Sequence, residues 1–350
     1  MVPHSRPTIG EEEVAAVNRV LRSGHIAQGG VVSQFEDKMR ALVGTKYAVA
    51  TSSGSAALHL ALLAMGVREG DQVATSAYVC SAVLNCIKLT GAEPLLVDIN
   101  LDTYNIDARN LKEKMTGRTK AVIVPHMFGL PADLEEIIAL GIPVIEDCAL
   151  SLGATYQGKP VGSMGVVSIF SFYATKVIAT GEGGMLLTDS TELMEQVRDR
   201  REYDKKPDYQ VRYNYKMTDM EAALGIVQLR KLPLFIKRRQ EIAFRYFQEL
   251  SRMNLNMPVI LPDRQHIFYR YVVRSPLKAE EFIQRMKEAG VVAAKPVYQP
   301  LNIYLNLSGF PAAIEAWKKG GSLPIYPSLA EDELEKVVNG VRRSLRDVPL

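Results

Sequence analysis

Lys176 stands inside FSFYATKVIATGEGG, residues 170–184, with aromatic and apolar residues on one side and a cluster of glycines on the other. A lysine ordinarily keeps its ammonium in water as a solvated loop residue. Held instead between a buried strand and a tight turn, it offers an amine for covalent chemistry. Ser171 lies between Phe170 and Phe172 on a run whose side chains alternate faces. Its hydroxyl suits an anion site, although buried serines commonly bond the backbone. The GEGG stretch supplies the backbone freedom that lets a chain pass close to a ligand.

Two further stretches offer partners for such an amine. In TSSGSAALHL a strand ends near Thr51 and an apolar helical run starts after Ser55. Hydroxyls, a glycine and the unpaired amides of a helix start together make an anion site or a well-capped helix. In IPVIEDCAL an apolar strand ends in Glu146 and Asp147, and alternation prevents both from facing the same site. One is structural; the other is a helix cap or the partner of a cationic ligand. A strand-end anion pocket, a strand-end Asp and a flanked Lys are jointly what pyridoxal 5'-phosphate requires, for its phosphate, its ring nitrogen and its aldehyde.

Other chemistries find less support. GATYQGKP, residues 153–160, matches a phosphate-loop spacing, but Pro160 replaces the magnesium-binding hydroxyl and no apolar helix follows. The histidines at 4, 25, 59, 126 and 266 lack metal-ligand spacing, and His59 falls on an apolar helical stretch that suits a core residue. No metal is expected. Cys80, Cys86 and Cys148 form no CxxC pair, so neither a disulfide framework nor a zinc site is indicated. A reducing cytoplasm fits them. With 42 basic residues interspersed among 39 acidic ones, the net charge of +3 does not predict nucleic-acid binding. MVPHSRPTIGEEE contains no apolar signal region, and the uncharged stretch 47–67 is interrupted by TSSGS, leaving too short an apolar run for a membrane span.

The elements that must position these residues follow from periodicity. From 46 to 188 the runs KYAVATS, DQVATSA, EPLLVDI, KAVIVPH, IPVIEDC, VVSIFSF and GMLLTD alternate with helical segments. Continuous apolar strands separated by helices imply an α/β fold with a mostly parallel sheet covered on both faces. Ligands of such sheets bind beyond the carboxyl ends of the strands. In TDMEAALGIVQLRKL, Thr218 and Glu221 have capping-box spacing. After Pro233 the texture changes to long amphipathic helices with sparse strands. The division expected is a large cofactor-binding domain over 1–232 and a smaller α+β domain over 233–350, with the N-terminal segment packing on the small one.

The series SSGSAALHLAL, GDQV with AYVCSA, GAEPLLVDI, TKAVIVPHMFG, VIEDCA, GKPVGSMG, FSFYATK, GEGGMLLT and YNYKMTDMEAALGIVQL resembles the DegT/DnrJ/StrS family of sugar aminotransferases. The resemblance spans nearly the whole chain and is strongest over 20–232. It implies the type I fold of pyridoxal-phosphate-dependent transferases, with a seven-stranded sheet sandwiched by helices. By the same resemblance Lys176 holds the cofactor aldehyde, Asp147 partners the ring nitrogen, and Gly54, Ser55 and Ser171 cradle the phosphate. Tyr78 takes the place of the aromatic that stacks on the ring, and Asn214 reaches the cofactor phosphate of a neighbouring subunit, which implies a homodimer with shared active sites. Arg212 and Lys216 are candidates for a basic rim toward a nucleotide diphosphate, and Gln28, in SGHIAQGG, for the substrate border.

Three positions depart from the family pattern. Leu150 stands where a Gln or His usually bonds the phenolic oxygen, so either another group such as His126 supplies that bond or the cofactor's electronics differ. Asn302 stands where a PLH motif has histidine, and Gln28 replaces a small hydroxyl residue. The activity implied is transfer of an amino group from an amino acid, with glutamate as the expected donor, to a nucleotide-activated keto sugar. Such chemistry serves amino-sugar, surface-polysaccharide or glycoside biosynthesis. The alternatives are a sugar dehydratase using the same cofactor, whose relatives typically replace the lysine, and a non-catalytic regulatory or binding protein on the same fold.

Overall fold

Seven apolar runs form one sheet. In chain order its strands are β1 (Tyr47–Thr51), β2 (Gln72–Ser76), β3 (Glu93–Val97), β4 (Thr119–Pro125), β5 (Val144–Asp147), β6 (Val167–Ser171) and β7 (Gly184–Thr188). The computed structural model describes residues 1–348 and orders these strands β1-β7-β6-β5-β4-β2-β3. β7 pairs antiparallel with both β1 and β6, and every other neighbouring pair is parallel. The carboxyl ends of six strands and the start of β7 therefore share one edge. This is the mostly parallel α/β sheet that the alternation of runs predicts.

Both faces are covered, which explains why the strands read as unbroken apolar runs. On β4, Ile123 packs into one cluster with Leu58, Leu60 and Leu62, while Val122 and Val124 pack into another with Leu134 and Ile137. The helices that frame the edge are α1 (Glu11–Ser23), α2 (Gly30–Val43), α3 (Gly54–Ala64), α4 (Ser81–Leu89), α5 (Thr191–Arg201) and α6 (Asp219–Leu250). The start of α6 has the predicted reciprocal cap: Glu221 N–H donates to Thr218 Oγ1 at 3.3 Å, and Thr218 N–H to Glu221 Oε2 at 2.8 Å. α6 continues through Pro233. Its C-terminal half, with Ile242, Tyr246 and Leu250, joins a separate core around β8 (Tyr271–Arg274), α7 (Ala279–Glu288), β9 (Gly320–Leu323) and α8 (Glu331–Ser344). The N-terminus meets that core through Val2, whose N–H donates to Gly290 O at 2.8 Å. Among the described residues no helix is long and apolar enough to cross a membrane.

The edge holding the candidate residues is closed by backbone contact. Gly184 pairs with Thr51 on one side and with Ser171 on the other. A Cβ at Gly184 would stand 2.5 Å from Gly54 N and closer still to the Ser53 carbonyl, and one at Gly54 would stand 2.8 Å from Ser171 Cβ. Only residues without a side chain let the β6 end, the β7 start and the α3 start converge. Gly184→Ala is therefore expected to cost about 3 kcal/mol. Gly66→Ala, at a left-handed turn with open space around it, should cost about 1 kcal/mol. Urea unfolding of the two variants tests this, and equal costs would show that the packed edge relaxes freely.

Candidate active site

The start of α3 faces Ser171. Ser53 caps the helix by accepting Ala56 N–H at 3.0 Å, while Gly54 and Ser55 occupy its first turn. Amides of a first helical turn have no partner within the helix and point outward, with the positive end of the helix dipole behind them. Ser171 lies against Gly54 closely enough to forbid a Cβ there. Two backbone amides and a hydroxyl thus face one corner of the sheet edge.

Alternation on β5 separates the two carboxylates. Glu146 is fully buried and accepts four N–H groups: Met164 at 2.8 Å and Gly165 at 2.6 Å on Oε1, Gly162 at 2.7 Å and His126 Nε2 at 3.2 Å on Oε2. Burial alone would raise its pKa, but the His126 hydrogen bond and the amides of Gly162 and Gly165 outweigh it and hold the carboxyl below its ordinary range. Glu146 is the structural member of the pair. Asp147 faces the sheet edge. Its Oδ1 accepts Ala149 N–H at 3.0 Å, and among the described residues its Oδ2 has no protein donor. Burial raises its pKa, while the Ala149 amide and the charge of Lys176 act in the opposite direction.

His126 is committed on both nitrogens. Ala132 N–H donates to Nδ1 at 3.0 Å, which places the ring proton on Nε2, toward Glu146. The bond missing at Leu150 is therefore not supplied by His126. Leu150 itself is half-buried and packs against two cores. His126, Glu146 and Cys148 bring donor atoms within 4.8 Å of one another, but the four N–H bonds already use the oxygens of Glu146.

Lys176 rides on a turn between β6 and β7. The turn is closed by Lys176 N–H to Tyr173 O at 2.8 Å, Thr180 N–H to Phe172 O at 2.8 Å and Ala174 N–H to Gly181 O at 3.0 Å. The Lys176 ammonium lies 5.5 Å from the centroid of the buried Tyr269 ring, and Tyr269 OH meets Thr175 Oγ1 at 3.4 Å. Burial pushes the Tyr269 phenol up, but the charges of Lys176 and Arg270 and the bonds to Thr175 and Arg270 bring it down to about 8. Lys176 and Asp147 are near enough for the lysine's charge to act on the acid. A buried acid with one open oxygen, an amine and an amide-lined corner thus meet at the carboxyl ends of the strands.

The model described as the DegT/DnrJ/EryC1/StrS aminotransferase family matches residues 7–342. The chain belongs to that family. It is 37% identical to the spore coat polysaccharide biosynthesis protein SpsC of Bacillus subtilis, over 97% of this chain and 96% of that one. Among solved structures it is similar to the aminotransferase TlmJ from Streptoalloteichus hindustanus, with a TM-score of 0.94, 32% identity and 99% of each chain covered. It is also similar to Spr1654 from Streptococcus pneumoniae, assigned as a sugar aminotransferase and solved in its PLP-form, with a TM-score of 0.94, 26% identity and all of both chains covered.

Other residues singled out by the family pattern do not all reach this site. Tyr78 has no exposed surface: its ring packs with Tyr104 and Phe128 at centroid distances of 6.1 and 6.4 Å, and its hydroxyl points to Ala316 O. It presents no face to the cleft. Cys80, two residues on, stands at the N-cap position of α4 without a side-chain capping bond and is exposed. Burial of the sulfur raises its thiol's pKa, with the Asp147 charge adding and the Lys176 charge opposing; neither charge is among the causes that shift Tyr78, and both act on Cys80. Only its place just beyond a strand end marks it in the sequence.

Arg212 is likewise occupied, donating to Asp199 at 2.9 Å and to Asp208 at 2.7 Å and 2.9 Å. Its guanidinium is not a free basic rim within this chain. Lys216 pairs with Glu202 at 3.0 Å. Asn214 is exposed, on a segment tied to α5 by Tyr213 N–H to Arg200 O and Tyr215 N–H to Arg201 O. Gln28 lines a separate cleft with His25, Gln34 and Asp219, and its Oε1 is buried without a partner. Asp219 anchors that loop by accepting Gly29 N–H at 2.8 Å and Val32 N–H at 2.9 Å.

The two β5 carboxylates make opposite demands on stability. Glu146 has a lowered folded pKa, so its contribution is complete above the ordinary carboxyl value of about 4.3 and disappears as pH falls through the folded value. Asp147 has a raised folded pKa, so its ionised form opposes folding of the cofactor-free chain at neutral pH, and that cost is relieved as pH falls. In cofactor-free protein at pH 8, Glu146→Gln should lose about 3 kcal/mol because buried donors lose their anion. Asp147→Asn should be at least as stable as the wild type. Thermal unfolding of both variants decides it, and the reverse order would contradict the assigned faces.

Proposed function

We propose that this chain is a pyridoxal 5'-phosphate-dependent aminotransferase that moves an amino group from an amino acid, with glutamate as donor, to a nucleotide-linked keto sugar. The observation that carries the reading is the opening of Asp147 Oδ2 toward the same edge as Lys176 and the amide-lined start of α3. These residues fit the cofactor: a dianionic phosphate at Gly54, Ser55 and Ser171, a protonated ring nitrogen at Asp147, and an aldehyde at Lys176 Nζ. When bound, the cofactor supplies an electron sink for the bond broken at the carbon bearing nitrogen.

The chain's own residues then have distinct tasks. Asp147 keeps a cationic N–H opposite its open oxygen, and the apolar surroundings that raise its pKa when alone strengthen that pairing. Lys176 Nζ would hold the cofactor aldehyde and, when free as an amine, would be the base that takes a proton from the donor carbon and, as the ammonium, the acid that gives it up again on the same face. The turn hydrogen bonds around Lys176 fix where that nitrogen can move. Leu150 contributes an apolar wall where relatives have a donor. The lysine that this chain keeps opposes the dehydratase reading.

The polysaccharide role of SpsC supports a sugar acceptor. The exposed Asn214, on the segment tied to the end of α5, supports a homodimer in which it reaches the partner's phosphate site. In that arrangement Lys216 and Gln28 would border the substrate from the partner's side.

Lys176→Ala is expected to abolish both the visible absorbance of lysine-bound cofactor and the formation of 2-oxoglutarate from glutamate. Borohydride reduction and peptide mapping of the wild type should place the pyridoxyl label on Lys176. Asp147→Asn should keep the absorbance but lose turnover by about 100-fold or more. Label on another lysine, or unchanged turnover with asparagine at 147, would refute the reading.

A further inference from the structure

Beside Lys176 opens a crevice that the phosphate corner and the ring acid do not use. It is lined by His4, Ser5, Thr175, Arg239, Tyr269, Arg270 and Ile325. Five separate parts of the chain build it: the N-terminus, the Lys176 turn, α6, the segment before β8 and the segment after β9.

Its charge is unbalanced. Arg239 is 3% exposed, and its Nη1 donates only to carbonyls, those of Ile325 at 2.8 Å, Tyr269 at 3.1 Å and Phe268 at 3.4 Å. Its Nε has no partner. Arg270 reaches the carbonyls of Pro296 at 3.2 Å and Lys295 at 3.5 Å. Among the described residues, no carboxylate lies within 4.0 Å of a side-chain nitrogen of Arg239, Arg270 or Lys176. A buried guanidinium is ordinarily paired, because leaving its charge uncompensated is costly.

Nor do the other lining groups supply a carboxylate: the one acidic group is the Tyr269 phenol, which Arg270 also bonds and which is lowered only to about 8, so it stays mostly protonated at neutral pH. His4 is held neutral, its pKa lowered to about 4 by burial and by Arg270, and its Nε2 lies 2.9 Å from Ser322 Oγ. Tyr269 lies between two cations: the Lys176 ammonium is 5.5 Å and the Arg270 guanidinium carbon 5.7 Å from its ring centroid. The Asp147 carboxylate belongs to the ring-nitrogen side of the site.

We propose that this crevice binds a carboxylate of the amino donor, with Arg270 making the contact and Arg239 standing behind it as a fixed positive charge. An amino acid whose nitrogen replaces Lys176 Nζ carries its carboxylate only a few bonds away, on the side where Tyr269 and Arg270 stand. A guanidinium matches a carboxylate bidentately, and a charge-assisted pair in a site this secluded discriminates strongly against amines without an acid group. The identity of the anion rests on the aminotransferase reading, whereas the existence of the site does not.

Calorimetric titration of the purified holoenzyme with glutarate, a dicarboxylate with no amine to transfer, tests the site apart from turnover. Arg270→Gln should bind glutarate about 10- to 100-fold more weakly, the scale of a lost charged hydrogen-bond pair, with Arg270→Lys in between. In the same glutamine variant the KM for glutamate should rise about as much while kcat and the KM for the keto-sugar acceptor hold. Ser5→Glu, which puts an acid into the crevice without removing an arginine, should also weaken glutarate, and it serves if the glutamine variant fails to fold. Unchanged glutarate affinity and glutamate KM in a folded Arg270→Gln enzyme would overturn the proposal. Arginine-dependent glutarate binding by a protein that forms no 2-oxoglutarate from glutamate would sink the aminotransferase reading and leave the crevice standing.

Discussion

The chemistry of this fold depends on the two-residue repeat of a single buried strand. Glu146 and Asp147 are adjacent in sequence and nearly equal in acidity, yet β5 sends their side chains to opposite faces of the sheet. One meets four N–H donors and becomes part of the framework. The other meets one and keeps an oxygen open. No difference in residue type produces this; it follows from which face carries the 162–165 loop and which face meets the Lys176 turn. A one-residue slip of β5 would exchange the roles and leave an unpaired acid in the core.

Convergence at the strand ends imposes a second requirement, met by absent side chains. The anion corner works only if the α3 start lies against Ser171, and that approach passes through Gly54 and Gly184. The backbone amides at the corner are as much determined by sequence as any catalytic side chain, since a methyl group at either glycine would push them off. Placing a phosphate there adds the helix dipole to the hydrogen bonds. The function of the glycines is thus steric first and electrostatic as a result.

Much of this was legible because it is local. Apolar runs, a strand-end acid pair, a helix start after TSSGS and a lysine before GEGG each declare themselves within a dozen residues, and parallel strands bring such ends to one edge without further information. What escaped was set by distant partners. Tyr78 turns inward because Tyr104 and Phe128 complete an aromatic cluster with it, and the irregular bend after β2 has no period from which its direction can be read. Arg212 is occupied by Asp199 and Asp208 across a segment without regular structure. His126 was unavailable for the cofactor because Ala132 and Glu146 claim both nitrogens. Tyr269, Arg270 and Arg239 carry no motif, and only the tertiary fold brings them beside the lysine.

Those last residues explain how a chain of nearly balanced charge presents a polarised site. The net charge of +3 is spread over the whole molecule, but around Lys176 the imbalance is local: the Asp147 carboxylate on one side, guanidinium groups on the other. In water such a separation would be screened within about 10 Å, whereas among buried groups the field persists, and the charges of Lys176 and Arg270 draw the Tyr269 phenol down. Arg239 also does mechanical work. By donating to the carbonyls of Phe268, Tyr269 and Ile325 it ties α6 to the segment that carries Tyr269 and Arg270. Neutral carbonyls hold its position without cancelling its charge, so one side chain both fixes the crevice and keeps it positive. A carboxylate in Arg239's reach would have stabilised the same junction more strongly, but it would have removed the attraction for an incoming acid.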